Sequence, residues 1–221
     1  MMSTWKKALS STLLVALTVT GTAATVAPAT AAETSHTQAS DSSYRQLSGA
    51  QATGHLNTLK SQVTAKDAVT VHTDTKNLQW DKASVGVLGA NTIVTVPLAN
   101  EGSQWSNLTA VYNSAGELQT FSEGHFTEHS ATSGHALIYS DGAKVTDKDV
   151  TASNVSTRSI GDAIGELNNC LSAAGIPAWI VAAATAACSS TGWVGIAACY
   201  TAAGVGGGTV GYCVGKASKK L

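Results

Sequence analysis

No charged residue stands between Glu166 and Lys216, and that uncharged stretch holds all four cysteines of the chain, Cys170, Cys188, Cys199 and Cys213. A segment so apolar, closed by Lys216, Lys219 and Lys220, is suited to meeting a membrane. No two cysteines have C-x-x-C spacing, which argues against structural zinc. There is no twin-arginine pair, so an exported chain would take the general route. Hydroxyl residues are plentiful, yet none is set apart with a base and an orienting acid, so no catalytic residue, metal or cofactor is expected. Acids outnumber bases through 33–158, whereas Lys216, Lys219 and Lys220 outnumber Asp162 and Glu166 in 159–221. This asymmetry argues against nucleic acid as a partner and for two parts with different tasks.

What is present divides the chain into five parts. Lys6 and Lys7, the apolar run from Leu13 to Val19, and Ala29-Thr30-Ala31 read as a secretory signal over 1–31. Residues 32–47 are polar and patternless, an arm that precedes the folded part. Over 48–150 a helix is followed by strands. Ser48 and Gln51 have capping-box spacing, and Leu56, Leu59 and Val63 recur at helical spacing, weakened by Gly54. From Val69 the period changes to two, with Gly89-Ala90-Asn91, Asn113-Ser114-Ala115-Gly116 and Ser140-Asp141-Gly142 as turns and Pro97 at an edge or strand end. Residues 151–159 are a polar linker. Residues 160–221, rich in Cys, Gly and Ala, predict helices over 160–174, 177–189 and 193–214, broken near Gly175-Ile176-Pro177 and Ser189-Ser190-Thr191-Gly192. The fold class expected is α+β: a small antiparallel β-meander with one helix, followed by a disulfide-linked α-helical hairpin.

Export would place the cysteines in an oxidising compartment, where an even count reads as a disulfide framework. Four cysteines allow three pairings, and hairpin geometry ranks them. Cys170 with Cys213 and Cys188 with Cys199 imply nearly the same turning point, between Thr191 and Trp193, whereas the other pairings cannot share one turn. Gly195, Cys199, Ala203, Gly207, Gly211 and Gly215 recur every fourth residue, a ladder of small side chains suited to helix packing in a bilayer or in a tight soluble bundle. On one continuous helix Trp193 and Tyr212 would stand about 28 Å apart, against roughly 30 Å of hydrocarbon core. With Trp179, Tyr200 and the lysines at 216, 219 and 220, they are the residues expected to meet a membrane.

Two near-motifs carry less. His125-Phe126-Thr127-Glu128-His129 matches H-x-x-E-H, but in a strand-like segment its histidines would lie about 13 Å apart, too far to share a zinc ion. Gly211 to Lys216 is one residue short of a phosphate loop and has Ala217 where a hydroxyl is needed.

The tail, from Asn168-Asn169-Cys170-Leu171 through Gly175-Ile176-Pro177-Ala178-Trp179 to Gly206-Gly207-Gly208-Thr209-Val210-Gly211-Tyr212-Cys213, resembles the Cys-bearing C-terminal domains of secreted bacterial bacteriocin precursors, including halocin-like ones. The resemblance covers about the last quarter of the chain. It implies an extracellular antimicrobial precursor whose N-terminal region accompanies or shields a peptide acting on a target-cell membrane. The β region is then expected to mask the tail intramolecularly, and the freed tail to associate in the membrane. The alternative is a non-lytic cell-surface protein anchored by its C-terminal hairpin, with the β domain binding an extracellular partner.

Overall fold

The computed structural model describes residues 44–66, 68–100, 102–152, 162–188, 200 and 207–217. The expected signal, most of the arm and the linker from 153 onward lie outside them. Helix α1 spans Gly49–Ala65 and turns Leu59 and Val63 into a core, as their spacing predicts. Ser48 occupies the N-cap in extended conformation but makes no side-chain cap hydrogen bond, so the expected capping box does not form. Gly49 follows at φ +59, a left-handed entry that glycine tolerates. The helix ends at Lys66, also left-handed, whose N–H donates to the Val63 carbonyl.

Seven strands form one sheet in chain order, each antiparallel to the next: β1 Tyr44–Gln46, β2 Ser84–Leu88, β3 Asn91–Pro97, β4 Asn107–Tyr112, β5 Leu118–Ser130, β6 Ser133–Ser140 and β7 Ala143–Thr151. The local chemistry of the turns explains the register. Asp141 and Gly142 both have positive φ, 49 and 78, the geometry a two-residue hairpin needs to match strand twist. Asn113 closes the β4–β5 turn by accepting from the N–H groups of Ala115 and Glu117. Pro97 ends β3, where its missing N–H interrupts no ladder.

Both faces of the sheet are covered. On one, Val85, Val94, Val96, Leu108, Ala110, Tyr112 and Phe121 pack with Leu59 and Val63 of α1. On the other, Phe126, Ala136, Ile138 and Val150 pack with three helices of the tail. These are α2 (Asp162–Ala173), α3 (Ala178–Cys188) and α4 (Gly207–Ala217). Helix α3 lies on β6 and β7, and α4 lies on β1, β2 and β3. The central strand β4 is consequently buried along its whole length. The sequence predicts one covering helix for the sheet and a tail obeying separate rules; in the structure the tail supplies the second covering layer, and sheet and tail helices belong to one compact unit.

Candidate functional site

The tail-facing side of the sheet is built around an absent side chain. Gly134 on β6 pairs with Glu128 on β5 and Val150 on β7. A Cβ there would stand 2.5 Å from Cη2 of Trp179 and 2.6 Å from the Thr127 carbonyl oxygen, so only glycine lets the indole lie this close to the backbone. Phe126 meets the same indole edge to face, with ring centroids 6.0 Å apart. From this anchor the first part of α3 is drawn inward: Trp179, Ile180, Val181, Ala182, Ala183 and Ala184 are each between 0% and 5% exposed, whereas Ala178 and Ala186 are exposed.

Within the tail, Cys170 of α2 and Cys213 of α4 form a disulfide with Cα atoms 5.5 Å apart, the pairing that hairpin geometry ranks first. Cys188 is also disulfide-bonded, and its expected partner, Cys199, lies outside the described residues. Tyr200 is fully buried and donates to Asn168 Oδ1 at 3.0 Å while sharing a hydrogen bond with the Thr185 hydroxyl. Burial pushes its phenol up to about 12, against the opposing Thr185 bond. Lys216 of α4 pairs with Glu166 of α2 at 2.7 Å, and that bond raises the ammonium pKa.

Among the described residues, two buried donors in this layer have no acceptor: the indole N–H of Trp179 and the Asn168 Nδ2 group.

Of the residues expected to meet a membrane, the structure therefore buries Trp179 and Tyr200, exposes Tyr212 (68%) and leaves Lys216 at the surface in its ion pair. Trp193, Lys219 and Lys220 lie outside the described residues. In the small-residue ladder, Gly207, Gly211 and Gly215 fall within α4, and Gly195 and Ala203 lie outside the described residues. Among the described residues no helix is long and apolar enough to cross a membrane.

The sheet's other face carries a polar cluster that sequence patterns did not single out. Glu123 of β5, with a side chain only 1% exposed, accepts from the backbone N–H groups of His72 and Thr73, both at 2.6 Å, and from His125 Nε2 at 3.0 Å. His72 stacks on Tyr139 of β6 with centroids 3.6 Å apart, and His125 meets the same ring edge-on. Burial alone would raise the Glu123 pKa; the hydrogen bonds from His125, His72 and Thr73 outweigh it and hold the carboxyl below its ordinary value. The carboxylate thus tethers the segment between α1 and β2 to the sheet. Its signal in the sequence is position: Phe121, Glu123 and His125 alternate on one face, and an acid between an apolar residue and a histidine marks an inward charge.

The H-x-x-E-H residues lie on β5 as a strand, with His125 engaged by Glu123 and His129 exposed. His135 sits between Asp149 and Asp147, 3.0 and 3.1 Å from its two ring nitrogens. Among the described residues, no group of three or more His, Cys, Asp or Glu could hold a metal ion.

Comparison with family models, curated proteins and solved structures finds no match.

Proposed function

We propose that this chain is a secreted bacteriocin-like precursor in which the β-sheet keeps a membrane-active, disulfide-linked helical tail closed until it is released. The observation that carries the reading is the burial of Trp179 to Ala184 of α3 between the sheet and the rest of the tail. An uncharged helix of this composition would otherwise present its apolar surface to water, and a contiguous surface of that kind drives association with lipid or with other chains. The Cys170–Cys213 bridge supports the same reading, because it ties the tail to itself, so that after the linker is cut the tail is held to the sheet by packing. We take the tail to be a hairpin bent near residues 191–193, with Cys188 and Cys199 completing a nested pairing. Release follows cleavage in the 151–165 segment, with Arg158 as a candidate site, and the freed hairpin permeabilises the target membrane.

A specific protease site placed in the linker of the otherwise intact, oxidised protein tests this. Cutting it should start dye leakage from vesicles containing phosphatidylglycerol, with the uncut protein inert. Absence of leakage after complete cleavage would remove the permeabilising role.

A further inference from the structure

The sheet-bound tail is held by an indole that fits in shape and fails in hydrogen bonding. Trp179 fills the notch left by Gly134, packs edge-on against Phe126 and is 0% exposed. Its N–H, however, has no acceptor among the described residues. A buried, unpartnered donor penalises the state that buries it, whereas burial of the ring's apolar area favours the same state. Almost any change of surroundings that keeps the ring away from water and supplies an acceptor would therefore compete well for this side chain. The interfacial region of a phospholipid bilayer does both: the ring sits among acyl chains and glycerol while the N–H reaches ester carbonyl oxygens or water.

We propose that Trp179 is the latch of the closed form, and that a phospholipid interface opens it by accepting the indole N–H that the sheet leaves unsatisfied. The proposal rests on the membrane-active reading above and adds to it the residue that senses the lipid. Two features set Trp179 apart from its neighbours in the interface. Ile180, Val181 and the alanines of α3 have no polar atom to satisfy and gain nothing specific by transfer. Tyr200, the other large buried ring of the tail among the described residues, has its hydroxyl bonded to Asn168 and Thr185, so moving it would break two bonds. Trp179 alone of these exchanges a missing hydrogen bond for a formed one.

The notch shows why this arrangement is sensitive. Because Gly134 meets the ring with no intervening side chain, and the Thr127 carbonyl lies equally near the position of a Cβ, the contact has no slack. Adding one methyl group should expel the indole and leave α3 without its anchor, while the opposite face of the sheet, built on α1, keeps its own core.

The test uses the oxidised chain cut in the linker, with its tail still seated on the sheet, titrated with unilamellar vesicles of phosphatidylglycerol and phosphatidylcholine and followed by flotation. Replacing the Trp179 side chain with its benzothienyl isostere keeps the ring's shape and substitutes sulfur for N–H. The isostere should require about tenfold more lipid for half-maximal binding, because one satisfied hydrogen bond is removed from the open form and one penalty from the closed form. Gly134→Ala should shift the midpoint the other way, by about tenfold. Its strand signal in circular dichroism reports that the sheet persists. An isostere midpoint equal to that of the unmodified chain overturns the latch, whatever Gly134→Ala does. If linker-cut protein floats while the isostere and the unmodified chain behave alike, the latch alone fails. If linker-cut protein does not float, the membrane-active reading fails and the latch with it.

Discussion

Glu123 shows how one inward carboxylate can organise a segment that has no regular structure of its own. Its two oxygens take the N–H groups of His72 and Thr73 and the ring of His125, so the chain between α1 and β2 is fastened over the polar half of the sheet. Glu123→Gln keeps the volume but sets an amide N–H against one of those donors, and should cost about 1–3 kcal/mol in urea unfolding at neutral pH. The pH dependence follows from the depressed carboxyl. Its contribution is complete above the unfolded value of about 4.3 and is lost as pH falls through the lower native value. Wild-type and Glu123→Gln stabilities should therefore converge on acidification below that range, and a constant gap between them would contradict the assignment. Trp179 is the second instructive residue, since the orphaned N–H that makes it a candidate latch is visible only once its neighbours are placed.

At the scale of elements, the bridge between α2 and α4 spans a sequence separation of 43, and a crosslink closing a loop of that size restricts the unfolded chain by about 4 kcal/mol in the entropic model. The double variant Cys170→Ser with Cys213→Ser should lose about 2–4 kcal/mol in denaturant unfolding. The loss should show first in helical signal, with the sheet's α1-side core unfolding later. Simultaneous loss of all structure at the same midpoint as the oxidised protein would contradict a role confined to the tail.

Much of this level could be read from residues. The turns at Gly89-Ala90, Asn113 to Gly116 and Asp141-Gly142 were legible because turn chemistry is local, and Pro97 marked the end of β3 for the same reason. The first two tail helices were legible from the break at Gly175-Ile176-Pro177. The capping box was not, because Ser48 and Gln51 have the right spacing but the left-handed Gly49 changes how the chain enters the helix. The tail's position was not legible either. Helix α3 is apolar all round, so it has no stripe to say which way it faces, and β6 presents Gly134 and Ala136 to it, residues too small to announce a buried face. Among site residues, the Cys170–Cys213 pairing was recoverable from spacing, whereas the Gly134 notch and the Glu123 cluster depend on register between strands, which no local motif states.

For the whole molecule, the two apolar clusters on opposite sides of one sheet define the energetics. The α1 side is contributed by residues between Leu47 and Phe121, all before the tail. The tail side joins β5, β6 and β7 to helices that follow a separate segment, and the Cys170–Cys213 bridge lies within those helices. The proposed release requires that the tail leave without loss of the α1-side core, and the separation of the two clusters by the sheet supports that. The most direct measurement of that arrangement is native-state hydrogen exchange of the backbone amides from Ile180 to Ala184 in the intact, oxidised protein. Packing of α3 on β6 and β7 predicts exchange slowed by orders of magnitude, with protection that collapses when the linker is cut and vesicles are added. Amides in α3 that exchange as fast as those of an exposed helix, while β4 stays protected, would contradict it.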